Sequence, residues 1–345
     1  MDDRKRNVRL ALPDDGKKLR AVIDSDAFNE VDDLFAISWA LLSKERFQIE
    51  AIYAEPFLNF RCTGIKDAME KSYKEVQELL KRFNVEDCCD VLHGADDTIT
   101  GTGGAIDSEA CRDLIKKALF STEEPLYVIC LGPLTTVASA IMVQPEIMEH
   151  IVVVWMGYGV TEERFRVPMC PNTMVDIDAA RYVLDSGVPF IQVPGAPVTS
   201  GLITTIHDLR HYLQDQNALS NFLLDRFELW QKSWASDEYA WSKSLWDCGA
   251  IAVLLHPEWC RTYMMPKPEI PKGFGMSSKS ELEYYRKDER YPKESDHLQT
   301  DQRKHAIRVV YEINRNKVYN DLYKKIAGYV DRSFKGGEVK EEMIK

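Results

Sequence analysis

Residues 21–33 read AVIDSDAFNEVDD, a short apolar run that leads into a cluster of acidic and amide side chains. The apolar residues before Asp24 are typical of a buried parallel strand, and residues 32–43 have the pattern of a helix. In an open parallel sheet, ligands bind beyond the carboxyl ends of the strands. We therefore expect a binding site at the acidic loop that follows this first strand.

Similar apolar runs recur along the chain, and each ends in small or polar residues. They begin at Glu50, Tyr127, Ile151 and Phe190, and helical patterns lie between them, at 64–83, at 108–120, from Thr135 and at 179–186. Alternation of this kind predicts βαβ units. The predicted fold class is α/β, with an open, mostly parallel sheet flanked by helices, as in a Rossmann-like core.

The second half of the chain is predicted to add a helical annex to this core. Residues 206–241 are helical and aromatic in pattern, and SLWDCGAIAVLLHP from Ser244 looks like a buried helix that ends at Pro257. Residues 264–293 suit an irregular hairpin or a mobile loop. A last helical pattern runs over residues 306–329.

We expect one α/β domain over residues 1–345. Its core would span residues 19–257, followed by a C-terminal loop and helix at 258–330. The charged tail at 331–345 is predicted to fray.

Composition excludes several classes of protein. The 44 Lys and Arg residues against 55 Asp and Glu residues give a net charge of −11, which repels nucleic acid. No apolar run approaches the roughly 20 residues needed to span a membrane, and the first residues lack the apolar stretch of a signal peptide. The eight cysteines contain no C-x-x-C pair and predict neither a zinc site nor a disulfide framework. We expect a cytoplasmic protein with reduced thiols.

The loop at residues 24–33 contains four aspartates, one glutamate and one asparagine. Like charges at this density repel one another, and a helix N-terminus relieves only part of the repulsion. A calcium ion, which accepts about six to eight oxygen ligands in a flexible shell, would relieve the rest, and magnesium, which demands an octahedral shell, stays open as an alternative. The alternative is that Asp32 and its neighbours only cap the next helix, but one or two acids would suffice for a cap. The density of the cluster therefore favours a cation site.

A second acid, Asp247, stands alone in the apolar segment SLWDCGAIAV. Burial of an unpaired carboxylate costs several kcal/mol, so Asp247 needs a partner. Two interpretations remain open at this stage: an N-cap of the following helix, or a distant ligand of the same cation.

Taken together, these segments resemble the inosine-uridine nucleoside hydrolase family, whose members begin with a loop of the D-x-D-P-G-x-D-D kind. Here the loop reads D-S-D-A-F-N-E-V-D-D and is two residues longer between Asp26 and Asp32. The resemblance covers residues 19–257 and continues through LGPLT at 131–135, Gly157, Asn172 with Asp176 and Ala179-Ala180, and Trp246-Asp247. Four motifs in the right order make the match specific.

The resemblance implies a Ca²⁺ site and a catalytic base. Asp26 would contact both the ion and the attacking water, and would act as the general base. Asp33 and Asp247 would be further metal ligands, and Leu131 would contribute its backbone carbonyl.

The resemblance also implies a sugar-binding set. Asp32 would bind a ribose hydroxyl, Asn172 matches an asparagine that binds the sugar, and Asn59 is a second candidate for that task. Trp246 is a departure, because some members of the family carry there a histidine that assists the departing base; its indole would instead stack on a base or line the pocket. The family usually places a glutamate where this chain has Cys170, whose thiol is a weak hydrogen-bonding group.

The implied function is hydrolysis of the N-glycosidic bond of ribonucleosides to free base and ribose, by a homodimer or homotetramer. The group that protonates the leaving base is open, with Tyr239, Trp241 and His207 as candidates. One alternative is a non-catalytic protein that binds nucleoside or ribose with calcium. The other is a haloacid dehalogenase-like phosphatase with Asp24 as nucleophile and Asp26 as acid, although the acidic pair follows too early in the chain for that class.

Overall fold

The computed structural model describes residues 6, 8–14, 16–83, 89–120, 124–157, 170–234, 241–268, 270 and 305–330. Ten strands lie within these residues: β1 (Leu19–Ser25), β2 (Phe47–Ala54), β3 (Asp90–His93), β4 (Leu126–Cys130), β5 (Ile151–Gly157), β6 (Phe190–Pro194), β7 (Ile203–Thr205), β8 (Ser242–Ser244), β9 (Cys260–Pro266) and β10 (Ala306–Ile313).

The α-helices of the same residues alternate with the strands in the first half of the chain. They are α1 (Asp32–Leu42), α2 (Ile65–Phe83), α3 (Ile99–Thr102), α4 (Glu109–Phe120), α5 (Thr135–Val143), α6 (Pro171–Val175), α7 (Ile177–Ser186), α8 (Ile206–Leu213), α9 (Ala218–Trp234), α10 (Cys248–Leu255) and α11 (Arg315–Ala327). Short 3₁₀ turns occur at Pro145–Glu149, Thr199–Gly201 and Pro257–Trp259.

Eight strands form one sheet in the order β3-β2-β1-β4-β5-β6-β10-β9. Every neighbouring pair in it is parallel except β10 with β9, which is antiparallel. The predicted α/β class with a mostly parallel sheet is therefore confirmed. The chain turns first toward β3 and then back toward β6, so the strand order reverses between β1 and β4. A crevice at such a reversal is where sheets of this kind bind ligands.

The central strands β1, β4, β5 and β6 are buried on both faces, which explains why they read as continuous apolar runs. On one face, Ile23 and Ile129 belong to a core cluster that includes the apolar side chains of α1 and α10. On the other face, Val22 and Val128 belong to a second cluster with those of α4, α5 and α7. Successive strand residues point to opposite faces, so each central strand contributes to both clusters.

The predicted helical annex is confirmed in α8, α9 and α10, and the structure adds a small two-stranded sheet to it. Strands β7 and β8 pair antiparallel, with Thr204 opposite Lys243. The backbone N–H of Leu245 donates to the carbonyl of Leu202 at 2.8 Å, which continues this pairing up to the start of α10. The annex thereby brings the 242–248 segment to the carboxyl end of the main sheet.

The prediction of a helix over the whole of 306–329 is wrong in its first part. Residues 306–313 form β10, which pairs with β6 and β9, and the helix begins only at Arg315. The segment AIRVVYEI is rich in β-branched and apolar residues, which fit a half-buried strand. Strands β3 and β9 were also not predicted, and β9 occupies residues 264–266 of the expected loop. Residues 271–300 and the tail 331–345 lie outside the described residues.

Among the residues that the structure describes, no helix combines the length and the apolar character required to cross a bilayer.

Helix α10 packs so closely on the sheet that one of its positions has no room for a side chain. A Cβ atom on Gly249 would clash with Cγ2 of Thr199 and lie 3.1 Å from Cγ1 of Val193. We expect Gly249→Ala to lower the free energy of unfolding by about 1–3 kcal/mol, because overpacking forces neighbours to move. Denaturant unfolding measures this. The control is Gly104→Ala, which meets no atom within 4 Å; an equal loss in both variants would contradict the packing argument.

Candidate active site

Asp26 follows β1 directly, at the reversal point of the sheet, and its side chain is buried. The loop after β4 lies against it: a Cβ atom on Gly132 would be 3.1 Å from the backbone nitrogen of Asp26 and 3.2 Å from its Cβ. The indole N–H of Trp155 donates to the Gly132 carbonyl at 3.0 Å and fixes that loop. A side chain at position 132 would therefore push the two chain segments apart by a few tenths of an ångström.

Asn29 holds the Asp26 carboxylate in place. Its side-chain amide donates to Oδ2 of Asp26 at 2.9 Å, and its backbone N–H donates to the Asp26 carbonyl at 2.7 Å. Asn59 in turn donates from its side-chain amide to Oδ1 of Asn29 at 2.8 Å. Asn59, a candidate sugar-binding residue in the sequence, therefore lies behind Asn29 and is not among the residues that line the cavity described below.

Asp32, Asp33 and Asp247 meet in space. One carboxylate oxygen from each lies within 4.8 Å of the other two, and all three side chains are buried. The Ser25 hydroxyl donates to Oδ1 of Asp33 at 2.6 Å, and the backbone N–H of Asp247 is 3.4 Å from Oδ2 of Asp32. These three side chains therefore bring together the start of α1 and the start of α10, which lie far apart in the sequence.

The alternative in which these acids only cap helices does not describe the structure. Asp247 precedes α10 at its N-cap position, yet its side chain makes no capping hydrogen bond. Oδ1 of Asp247 is buried and has no hydrogen-bond partner among the described residues. The residue before α1, Val31, also provides no side-chain cap. Buried oxygens without partners are costly, and a bound cation would satisfy them.

Burial and mutual repulsion raise the pKa values of the acids in this cluster. Burial raises the pKa of Asp26 well above its ordinary value, and the charges of Asp33 and Asp32 raise it further. Burial and the charge of Asp32 raise the pKa of Asp33 to about 7. The pKa of Asp247 is raised in the same way, by burial and then by Asp33. These carboxyls therefore keep protons close to neutral pH unless positive charge compensates for them.

Asn172, at the start of the short helix α6, orients a backbone carbonyl of the site. Its side-chain amide donates to the carbonyl of Leu131 and, at 2.9 Å, to that of Met156. The backbone N–H of Leu131 donates to the Asp24 carbonyl at 2.7 Å, so residue 131 is held at both its N–H and its carbonyl. Leu131, whose carbonyl is predicted as a metal ligand, lines the same cavity as Asp26.

These groups line one cavity of 370 Å³. Its lining includes five acids, Asp26, Glu30, Asp32, Asp33 and Asp247. It also includes less polar residues, namely Met156, Gly157, Cys170, Pro171, Ala196 and Trp246. Burial raises the pKa of the Cys170 thiol, which is therefore neutral. The volume suits a small polar ligand with one charged or hydroxyl-rich edge.

Lys243 is a site residue that the sequence analysis missed. It extends from β8, and its buried ammonium group forms ion pairs with Glu30 and, at 3.0 Å, with Oδ1 of Asp32. Burial alone would lower the pKa of this ammonium, but Asp32 and Glu30 raise it above its ordinary value. No motif marked Lys243, because its segment SKS resembles an exposed loop in sequence.

The residues present fit a hard divalent cation. Asp32, Asp33 and Asp247 offer carboxylate oxygens within reach of a single ion, and Asp26 and Leu131 line the same cavity. All of these donors are oxygens, which Ca²⁺ and Mg²⁺ prefer, whereas zinc sites favour histidine and cysteine. The acidic cluster is thus a candidate metal centre.

Other candidates from the sequence lie elsewhere. Neither His207, on α8, nor Trp241, which packs on Trp230 with ring centroids 5.5 Å apart, lines the cavity. Tyr239 lies outside the described residues. Asp24 is fully buried beside Glu55 and does not line the cavity either. Because a nucleophile must reach its substrate, this position argues against the phosphatase alternative.

The family model described as inosine-uridine preferring nucleoside hydrolase matches residues 21–320, most of the chain. The chain belongs to this family. The predicted resemblance is confirmed, and its span extends beyond Pro257 to include β9, β10 and the first part of α11.

Individual relatives are distant. The pyrimidine-specific ribonucleoside hydrolase RihA of Escherichia coli is 27% identical to the chain over 148 residues, and that of Klebsiella pneumoniae is 30% identical over 152 residues. Each alignment covers 42% of this chain and 47% of the relative. The chain therefore matches about half of the length of these curated proteins.

Solved structures of the family share the fold over almost their whole length. The plant nucleoside hydrolase PpNRh1 is 18% identical, with a TM-score of 0.65, and the match covers 90% of this chain and 99% of that one. The purine-preferring ribonucleoside hydrolase from Gardnerella vaginalis is 19% identical, with a TM-score of 0.65, covering 90% and 98%. At such identities the likeness concerns the fold alone.

The buried acids predict a linked dependence of stability on pH and on divalent cations. Protons bind the folded carboxyls more tightly than the unfolded ones, so without cation the melting temperature should fall as the pH rises from about 4 to about 7, the window between the ordinary pKa and that of Asp33. Added Ca²⁺ should raise it by more at pH 8 than at pH 5, because the ion needs ionised carboxylates.

Thermal melts with chelator and with Ca²⁺, at pH 5 and pH 8, test this linkage. Asp33→Asn should weaken both the pH response and the cation response. A cation effect that is equal at the two pH values would contradict it.

Proposed function

We propose that this protein hydrolyses the N-glycosidic bond of ribonucleosides, releasing free base and ribose. One observation carries the proposal: Asp26, Asp32, Asp33 and Asp247 converge in a single cavity at the reversal point of the sheet. Membership of the nucleoside hydrolase family supports the same reaction.

We propose Ca²⁺ as the cation, held by Asp26, Asp33, Asp247 and the Leu131 carbonyl. The donor set consists of oxygens, and the flexible shell of Ca²⁺ accepts carboxylates and carbonyls without the strict octahedron that Mg²⁺ demands. When bound, the ion would orient the sugar hydroxyls and make a nearby water more acidic.

Asp26 is proposed as the general base. It would accept a proton from water as the water oxygen forms a bond to C1′ and the bond between C1′ and the base nitrogen breaks. The base nitrogen keeps the bonding electron pair and takes up a proton from solvent to give the free base. The hydrogen bond from Asn29 occupies Oδ2 of Asp26 and leaves Oδ1 to face the reacting water. A fixed carboxylate loses less entropy on the way to the transition state than a mobile one.

The remaining acids and polar groups would bind the sugar and stabilise its charge. Positive charge develops on the ribose ring as the bond to the base breaks, and nearby carboxylates stabilise it in a water-poor cavity. Asp32 is proposed to bind a ribose hydroxyl and Asn172 to contact the sugar. Trp246, which lines the cavity, is proposed to stack on the base.

Relatives of the chain differ in the base named in their titles, pyrimidine for RihA and purine for the Gardnerella vaginalis enzyme. The substrate is therefore proposed at the level of a ribonucleoside. Family resemblance further favours a homodimer or homotetramer, and the composition favours a cytoplasmic protein.

A nucleoside panel tests the activity, with free ribose measured with and without a chelator. We expect ribose release that stops on chelation and returns with Ca²⁺. Asp26→Asn should lower kcat by about 10²–10⁴-fold because it removes the general base. The control Asp113→Asn lies outside the cavity, where Asp113 pairs with Lys117, and should leave kcat unchanged.

Binding of ribose or nucleoside with Ca²⁺ but without release of base would instead identify the non-catalytic alternative. Phosphate release from phosphomonoesters would contradict the proposal altogether.

The hydrogen bond from Asn29 to Asp26 predicts that substitutions along this chain of contacts lower kcat less as they lie further from Asp26. Asn29→Ala removes the hydrogen bond to Oδ2 and should lower kcat by about tenfold, the equivalent of one charge-assisted hydrogen bond. Asn59→Ala acts one residue further away and should lower kcat less, with little change in KM. Steady-state kinetics of both variants measure this order, and a larger defect in Asn59→Ala would instead favour direct contact of Asn59 with the sugar.

A further inference from the structure

Lys243 has every donor of its ammonium group in use. It pairs with Glu30 and Asp32 and donates a third hydrogen bond, of 2.9 Å, to the carbonyl of Ser244. A lysine ammonium has three donors, so this set is complete. Because the side chain is only 4% exposed, water does not compete for these contacts.

The fold also fixes where this ammonium lies. Strand β8 is held by its pairing with β7, and the Ser244 hydroxyl donates to the carbonyl of Ser200 at 2.9 Å. The Nζ atom is 5.0 Å from the ring centroid of Trp230 and 5.9 Å from that of Trp246. Aromatic faces at these distances attract a cation. The charge is thus placed by backbone and rings and does not depend on Asp32 alone.

Asp32 is the member of the acidic cluster on which Lys243 acts. Its Oδ1 is bound to Lys243, while Oδ2 faces the backbone N–H of Asp247. Asp32 also lies close enough to Asp33 and Asp247 for all three to share one ion. A free Asp32 would be drawn toward a divalent cation, since a carboxylate gains more from a double charge than from water. The bond to Lys243 opposes that movement.

We propose that Lys243, together with Glu30, is the positioning residue that keeps Asp32 out of the cation shell and available to the sugar. The inference rests on the proposed function, in which Asp32 binds a ribose hydroxyl. It assigns the five acids of the cavity to two groups: Asp26, Asp33 and Asp247 serve the cation, and Asp32 and Glu30 are held by an internal lysine. Lys243 acts through Asp32 and does not touch the substrate.

This division predicts changes of opposite sign when the lysine loses its charge. In Lys243→Met, Asp32 becomes a further ligand, so the dissociation constant for Ca²⁺ should fall by about tenfold, the worth of one charge-assisted contact. The dissociation constant for free ribose and the KM for nucleoside should rise by about as much, with a smaller change in kcat. Damage to the fold would weaken both kinds of binding.

Calorimetric titration of the full chain with Ca²⁺, and then with ribose in saturating Ca²⁺, measures both constants without turnover. The second variant, Glu30→Gln with Lys243→Met, removes one charge of each sign and keeps the net charge, so it serves if the single variant fails to fold. It should show the same opposite shifts. Adding Asp32→Asn to Lys243→Met should abolish the gain in Ca²⁺ affinity, because the carboxylate that moves is then absent.

The matched control is Lys267→Met, which removes another buried lysine, paired with Asp185 away from the cavity residues. It should change neither constant. Weaker binding of both Ca²⁺ and ribose by the Lys243 variants, or unchanged binding of both, would overturn the inference. If wild-type protein binds Ca²⁺ and ribose but releases no base, the proposed function fails while the opposite shifts still decide the role of Lys243.

Discussion

Repulsion between buried carboxylates is the constraint around which the site is organised. Asp26, Asp32, Asp33 and Asp247 lie in one cavity, each almost inaccessible to water. Burial of even one unpaired carboxylate is costly, so four together require compensation. The chain supplies part of it with Lys243, and raised pKa values show that the acids otherwise retain protons. A divalent cation would supply the remainder.

The fold keeps these acids close together, despite their repulsion, by holding them on rigid elements. Asp26 is set by the end of β1 and by the close contact with Gly132, while Asp247 is set by α10, which packs against α1 and the sheet. Because both elements belong to the core, the carboxylates cannot move apart to relieve their repulsion without unpacking it. Held in this way, they are ready for positive charge, whether a metal ion or a sugar in its transition state.

Sequence patterns predict the structure and the site correctly where the residues of one short segment determine them. The central strands follow from apolar runs that are buried on both faces, and the acidic loop of 24–33 follows from its density of charge. Residues 306–313 were misjudged as helix, because a short apolar run with charged neighbours fits either a strand or a helix until its partners are known. The partner strands β6 and β9 decided the outcome.

The sequence by itself determined the α/β class, the family, and the identity of the acids at the end of the first strand. Only the tertiary structure decided that Asp247 is no simple helix cap, that Asn59 supports Asn29 behind the cavity, and that Lys243 enters the acidic cluster. The physical reason is the sequence separation of the residues that interact. A strand, a helix or a loop rich in like charges is determined by neighbouring residues. The contact of β8 with the acidic loop depends instead on how the annex packs on the sheet.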